Sequence, residues 1–173
     1  MALSSPNILN YTVGKGRVQV RLTGETNFRD IGNCPEFEFT PTIEKLEHFS
    51  SQTGVKSKDR TIVLSKAGTL RVVMEELTAE NMRIALLGNA ISAESGGDQE
   101  IEIFGSSSIT AEVKFIGTND VGPKYEYYFR SVDFIPSSSI NLISDEWLQV
   151  EISGDVAAVS GSFGTATLIA DGV

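Results

Sequence analysis

Apolar and polar residues alternate with a period of two along much of this chain, which is the pattern of half-buried β-strands. The clearest example is residues 17–23, where Val18, Val20 and Leu22 alternate with polar residues. Further strands are predicted at residues 36–40, 61–65, 69–77, 99–104, 109–116, 125–134, 147–152 and 157–169, the last broken at Gly161 or Gly164. Residues 66–68, Lys-Ala-Gly, are predicted to join strands 61–65 and 69–77. Pro41 has no amide proton, so it predicts a bulge or an edge strand after residues 36–40.

One segment has helical spacing. Thr78 can cap a helix that begins at Ala79, and Met82, Ala85 and Leu86 then fall on one side. Gly88 can end it in the left-handed conformation. A helix of about ten residues is not stable alone in water, so it must pack on a sheet. We therefore predict a mainly-β fold, an antiparallel β-sandwich or half-open barrel with one short flanking α-helix.

Two connections have distinct expectations. Residues 105–108, Gly-Ser-Ser-Ser, predict a hairpin that joins strands 99–104 and 109–116. Residues 46–60 are the least regular part of the first half, and they predict a long polar loop or an exposed hairpin tip. Long connections of this kind are usually functional or mobile. We expect one domain over residues 1–173, with an exposed arm at about 46–60.

Charge and composition exclude several classes of protein. The net charge of −9 over 173 residues opposes nonspecific binding to nucleic acid. Cys34 is the only cysteine, so neither an intrachain disulfide nor a cysteine-rich metal site is expected. No apolar run reaches the roughly 18 residues that a membrane helix needs, and the N-terminus lacks the pattern of a signal peptide. We expect no cofactor, no metal and no membrane partner.

Catalytic chemistry is not predicted either. His48 is the only histidine, and no Gly-x-Ser-x-Gly motif accompanies it, so we interpret it as a surface or interface residue. Carboxylates occur in pairs at Glu36/Glu38 and Glu100/Glu102, which matches the solvated face of an amphipathic strand better than a hydrolytic site. The sequence therefore predicts no catalytic residue and no enzyme.

Three stretches of the first half resemble the tail tube proteins of long, non-contractile-tailed (siphovirus-type) bacteriophages. The first is Ser-Pro-Asn-Ile-Leu-Asn-Tyr-Thr-Val-Gly-Lys-Gly at residues 5–16. The second is Asn-Cys-Pro-Glu-Phe-Glu-Phe-Thr-Pro at residues 33–41, and the third is Glu-Lys-Leu-Glu-His-Phe-Ser-Ser-Gln-Thr-Gly-Val-Lys-Ser-Lys-Asp at residues 44–59. The resemblance implies a tail-tube-like fold and subunits that form stacked six-fold rings.

The resemblance also implies partners and a location. The subunit would bind other copies of itself, together with tape measure, tail-tip and tail-terminator proteins. DNA would pass through the tube without specific binding. The protein would be assembled in the host cytoplasm and would end in the virion tail.

Two sets of candidate residues follow from this reading. Lys56, Lys58 and Arg60 form the densest basic cluster in an acidic chain, so we expect them to contact a neighbouring subunit or ring. His48, Phe49 and Ser50 belong to the same segment. The carboxylates that we expect to face the lumen are Glu100, Glu102 and Glu112.

Two alternatives stay open. The ring-forming tube protein of a bacterial contractile injection system shares this fold and ring arrangement. A carbohydrate-binding β-sandwich module would need exposed aromatic residues on one face, for which Tyr125, Tyr127 and Tyr128 are candidates. Tyr125, Tyr127 and Phe129 share one face of the predicted strand, which is more typical of a core.

Overall fold

The computed structural model describes residues 6–52, 54–89, 91–93 and 96–170. These residues contain one α-helix, α1 (Ala79–Ala85), and a 3-10 turn at Ile8–Asn10. The strands are β1 (Gly16–Leu22), β2 (Arg29–Asp30), β3 (Glu36–Ser50), β4 (Ser57–Met74), β5 (Ile91–Ala93), β6 (Gln99–Ile101), β7 (Ile109–Gly117), β8 (Lys124–Pro136), β9 (Val150–Val156) and β10 (Gly164–Ile169). The predicted mainly-β fold with one short helix is confirmed.

Eight of these strands form a single antiparallel sheet. Its order is β2-β1-β7-β8-β9-β4-β3, and β10 joins beside β8. The first half of β8 pairs with β10, from Lys124↔Ile169 to Phe129↔Gly164. The second half pairs with β9, from Val132↔Val156 to Pro136↔Ile152. Strands β5 and β6 form a separate two-stranded sheet.

The large sheet is rolled. Strands β3 and β7 are four positions apart in it, which would separate them by about 19 Å if the sheet were flat. The rings of Phe37 on β3 and Phe115 on β7 nevertheless stack with centroids 5.5 Å apart, and Phe39 lies 5.0 Å from Phe129 of β8. Strand β3, at one end of the sheet, therefore faces β7 and β8, as in the predicted sandwich or half-open barrel.

The core fills the inside of this roll. Leu70, Val113 and Val132 are completely buried, and Ile84 of α1 is buried among them. The alternation predicted for β1 is confirmed, since Val18, Val20 and Leu22 all point into the core.

The predicted N-terminus of the helix is confirmed, but its buried face differs from the prediction. The Thr78 hydroxyl accepts a hydrogen bond from the Asn81 amide at 3.2 Å. Asn81, Ile84 and Ala85 are buried, whereas Met82 and Leu86 are only partly covered. Asn81 is buried because its side-chain amide donates hydrogen bonds to the Ile31 carbonyl at 2.8 Å and to the Glu76 carbonyl at 2.7 Å. Apolar spacing alone does not reveal a buried asparagine.

The helix ends one residue earlier than predicted. Leu87, not Gly88, has the left-handed backbone, with φ of 52°. The amide of Gly88 donates to the Arg83 carbonyl at 2.8 Å, and that of Leu87 donates to Ile84 at 3.3 Å, which is the Schellman arrangement. Gly88 serves packing instead, because a β-carbon there would lie 2.4 Å from the Ile101 side chain.

The predicted hairpin of residues 99–116 is wrong. Strand β6 pairs with β5, while β7 pairs with β1 and β8. The segment between them docks on the end of the helix instead of turning back. The Phe104 amide donates to the Leu86 carbonyl at 2.9 Å, and the Ser106 amide donates to Leu87 at 2.8 Å.

The last two strands lie later than predicted. Strand β9 begins at Val150, and Trp147 before it is 93% exposed. The predicted break in residues 157–169 is confirmed: Gly161, with φ of 80°, lies in a turn where Val159 bridges Ser162, and β10 starts at Gly164.

Residues 61–65 and 69–74 also differ from the prediction, since they lie in one strand, β4, which pairs with β3 in a long hairpin. Strands β3 and β4 pair continuously apart from two register shifts, and Gly68 lies opposite Pro41 within the ladder. Gly68 therefore makes no turn. A β-carbon there would lie 2.5 Å from the Phe39 ring, so the glycine makes room for that ring. Pro41 lies on β3, which is an edge strand of the sheet, and an edge strand was one of the two positions predicted for it.

Candidate assembly surfaces

The outer part of the β3–β4 hairpin, residues 41–67, extends beyond the rolled sheet, and we name it the hairpin arm. Strand β4 pairs with β9 only from Thr69 to Met74, so the arm has no other strand beside it among the described residues. Apart from the partly covered Ser50, all of its described residues are exposed. Residues 46–60, for which a loop or a hairpin tip was left open, form the outer end of this ladder.

The arm brings together the predicted contact residues. His48, Phe49 and Ser50 end β3, whereas Lys58 and Arg60 begin β4 and Lys56 precedes it. Two pairs cross the ladder: Nδ1 of His48 lies 2.6 Å from an Asp59 carboxylate oxygen, and Nζ of Lys58 lies 2.8 Å from Glu47.

Lys56 and Arg60 form no salt bridge with any residue that the structure describes. Their charges are therefore available to a partner.

The arm exposes apolar residues on both faces, which were not predicted from the sequence. Leu46 lies opposite Ile62, and Leu64 is the residue of β4 that the register shift between Glu44 and Lys45 leaves without a register partner; we name these three residues the aliphatic triad. Their exposed fractions are 54%, 42% and 52%. Ile43, Phe49 and Val63 are similarly exposed elsewhere on the arm. Period-two alternation did not mark them, because the apolar residues of 43–49 recur at every third position, and their polar neighbours suggested a loop.

A second exposed apolar surface lies where β3, β7, β8 and β10 meet. We name it the aromatic groove, and its floor is lined by Phe37, Phe39, Phe115, Tyr127 and Phe129. Phe129 is buried, but Phe39 and Tyr127 keep 41% and 38% of their surface exposed. The expectation that Tyr125 and Tyr127 are core residues like Phe129 is therefore wrong. Tyr127 lines the groove instead, and the ring of Tyr125 lies beside it with centroids 6.1 Å apart.

One wall of the groove is built from small residues. Gly164, Thr165 and Ala166 of β10 line it, and Ala166 lies directly opposite Tyr127. Gly16 makes room on the floor, since a β-carbon there would lie 2.4 Å from the Phe115 ring. No charged side chain lines the groove among the described residues.

The three acidic candidates do not form one surface. Glu100 lies in β6 of the small sheet, and Glu102 follows that strand and accepts a hydrogen bond from Asn89 at 3.0 Å. Glu112 lies in the large sheet, where Arg21 donates to its oxygens at 2.6 and 2.7 Å and Tyr128 also donates to it. Burial alone would raise the pKa of Glu112, but the hydrogen bonds from Tyr128 and Arg21 outweigh it and lower that pKa.

Cations surround Glu112 on the outer face of β1, β7 and β8. Arg21 and Lys114 lie 4.7 and 4.6 Å from the Phe28 ring centre, and Arg130 lies 5.7 Å from that of Tyr128. These contacts are cation–π interactions. This half of the outer face is therefore basic.

The outer face of β3, β4 and β9 has the opposite character. Arg71 pairs with Glu36 and, at 2.7 Å, with Glu151. The hydrogen bond from Arg71 lowers the pKa of Glu151. Glu38 and Asp155 lie next to this group in the register and form no salt bridge with the described residues.

Other chemistry is sparse in the described part of the chain. No three His, Cys, Asp or Glu side chains there are grouped to hold a metal ion. The only hydrogen-bond partner recorded for the His48 ring is Asp59. Burial raises the pKa of the Cys34 thiol to about 11. No described helix is long and apolar enough to cross a membrane.

Comparisons with known proteins identify a family. The family profile described as "Protein of unknown function UCP028589" matches residues 11–97, half of the chain, and the chain belongs to this family. No curated protein matches the sequence.

Two solved structures are similar to this chain. A chain from the cryo-EM structure of the anti-feeding prophage baseplate, six-fold symmetrised, is 10% identical with a TM-score of 0.54, over 96% of this chain and 97% of that one. A chain from the tail of the empty GTA particle, refined with C6 symmetry, is 13% identical with a TM-score of 0.43, over 90% and 96%.

Proposed function

We propose that this chain is a one-domain structural subunit of a phage-like tail tube, which binds copies of itself in six-fold rings that stack into a conduit for DNA. The observation that carries the proposal is the hairpin arm. A two-stranded hairpin is at best marginally stable alone in water, and this one exposes aliphatic and aromatic side chains. Such a ribbon needs a partner, and further copies of the chain are the simplest one.

Geometry supports several copies rather than one. A single rolled sheet of eight strands is filled by its own side chains, so it cannot enclose duplex DNA about 20 Å wide. Copies that place sheet edges side by side can enclose it, and this also covers exposed edges. The baseplate chain of similar fold comes from a six-fold symmetrised particle, which supports six copies per ring in our proposal.

The same likeness supports a second candidate, the ring-forming tube protein of a contractile injection system. The two candidates share the subunit and its rings but differ in cargo, since only the phage tail conducts a genome. The sequence resemblance favours the long non-contractile tail. Co-purification of a sheath protein with the tubes would favour the contractile system.

A glycan-binding module is a third candidate, because Tyr125 and Tyr127 are 39% and 38% exposed and lie side by side. It predicts saturable binding on a glycan array and a monomer at every concentration.

Light scattering across a concentration series, with negative-stain microscopy, tests the proposal. The full chain should convert from monomers to rings or tubes. A matched variant that replaces residues 44–65 with Asn-Gly closes the hairpin between the paired residues Ile43 and Lys66. This variant should stay folded and monomeric. A full-length chain that remains monomeric at high concentration, with and without a tail-tip nucleus, refutes the proposal.

A further inference from the structure

The hairpin arm and the aromatic groove are two apolar surfaces at different places on one chain. The aliphatic triad lies on the arm, and Arg60, which is paired with His48, lies beside Ile62 on the same face. The groove offers half-exposed aromatic rings and a wall of small residues. Both surfaces are therefore apolar and at least partly exposed.

The arm of one chain does not reach the groove of the same chain. Phe39 of the groove and Leu46 of the triad are on the same strand, seven residues apart, which is about 24 Å in an antiparallel ladder. The strand continues away from the groove, and the paired strand β4 keeps it extended. The occupant must therefore be another molecule.

We propose that the aromatic groove of each subunit receives the aliphatic triad of a second copy's hairpin arm; this inference rests on the proposed self-assembly. Leu46, Ile62 and Leu64 lie against Phe39 and Tyr127, and the guanidinium of Arg60 stacks on the tyrosine rings at the rim. Arginine over an aromatic ring is favourable, and the groove contains no charge to oppose it.

Size and symmetry agree with a second copy as the occupant. Standard interfaces use about 20–30 residues on each side, and the arm spans residues 41–67. The contact joins two different surfaces, so it is heterologous and generates a closed ring or an open stack. The small residues of β10 permit close approach, and β10 pairs only with β8 among the described strands, which leaves its outer edge open to the incoming arm.

Disulfide trapping tests the contact in a Cys34→Ser background. Ile62→Cys and Ala166→Cys are placed on two differently tagged full-length copies, because both positions are exposed and the substitutions are small. Under mild oxidation the mixture should give a mixed dimer, and a chain that has both cysteines should give a ladder of multimers. Ile43→Cys, which is 53% exposed at the base of the arm and lies outside the triad, is the matched control and should not cross-link to Ala166→Cys.

A charge in the triad gives an independent measurement. Ile62→Asp should raise the concentration needed for assembly at least tenfold while the monomer keeps its circular dichroism, because Ile62 is outside the core. Wild-type tubes without the mixed dimer, or equal cross-linking from Ile43→Cys, overturn the inference and leave the proposed function intact. A wild-type chain that never assembles overturns both.

Discussion

The rolled sheet and the hairpin arm use the same antiparallel pairing, yet they differ in what lies against their faces. In the rolled sheet, strand β4 contributes Leu70 and Val72 to a core that the opposite end of the sheet and α1 close. Ten residues earlier on the same strand, Ile62 has one partner strand and no covering layer. The β3–β4 ladder thus continues beyond the last residues that pack in the core. An element that continues beyond its own core marks a surface that another molecule must cover.

The largest expected effect separates the two regions directly. Phe134→Ala, which empties a fully buried site in the rolled sheet, should lower the free energy of unfolding by about 3–5 kcal/mol. Ile62→Ala on the arm should change it by about 0.5 kcal/mol or less in the monomer, because the side chain is already exposed. Urea unfolding below the assembly concentration measures both. Equal losses would mean that the arm packs on its own monomer.

Reversing the charges at the end of the arm should block assembly and leave the fold unchanged. In the triple variant Lys56→Glu, Lys58→Glu and Arg60→Glu, three cations that we assign to a partner contact become repulsive. Light scattering should show monomers, and circular dichroism should match the wild type. Reversal of Lys15, Arg17 and Arg130, three exposed cations outside the arm, makes the same change in net charge and is the control. Normal tubes from the triple variant would show that the arm's charges are not part of the interface.

How far the sequence predicts this molecule depends on the range of the interaction that decides each element. Alternation found β1 and β8, and the Thr78 cap found α1, because local chemistry sets them. Gly68 was predicted to lie in a connection between strands and Gly88 to end the helix, and both predictions were wrong. Each lacks a side chain because a ring or an isoleucine from a distant segment occupies that space, which one-dimensional patterns do not contain.

The sequence indicated an exposed arm at residues 46–60 but not its apolar character. The basic residues pointed to 46–60, and the resemblance pointed to a contact between subunits. The aliphatic triad and the aromatic groove were missed for one physical reason. Burial of an alternating residue depends on whether a layer covers it, and the sequence of one strand does not specify that layer.

The stability of the fold should depend on pH through an ion-pair group near the junction between the two regions. Arg71 joins β3 to β9 through Glu36 and Glu151, and it lowers the pKa of Glu151. A lowered carboxyl pKa stabilises the fold above the ordinary value of 4.5, and the effect is lost as pH falls through the folded value. Arg71→Met should therefore be less stable than wild type near pH 7, and this gap should close toward pH 3. Thermal unfolding across that range measures it. Lys15→Met, which removes a looser pair with Asp120 at 3.8 Å, should show no comparable gap.

The smallest expected effect is an absence of DNA binding, and it distinguishes the two halves of the outer face. We expect the lumen to be net negative, because like charge repels phosphate over roughly 8 Å at physiological salt. The half with Glu36, Glu38 and Asp155 fits that lining, whereas the half with Arg21, Lys114 and Arg130 does not. Assembled tubes should therefore show no measurable affinity for duplex DNA at moderate salt in a filter or anisotropy assay. Glu38→Gln with Asp155→Asn should leave assembly intact and slow DNA ejection if these carboxylates face inward. Tight, salt-sensitive binding by the wild-type tube would mean that the basic half faces the DNA.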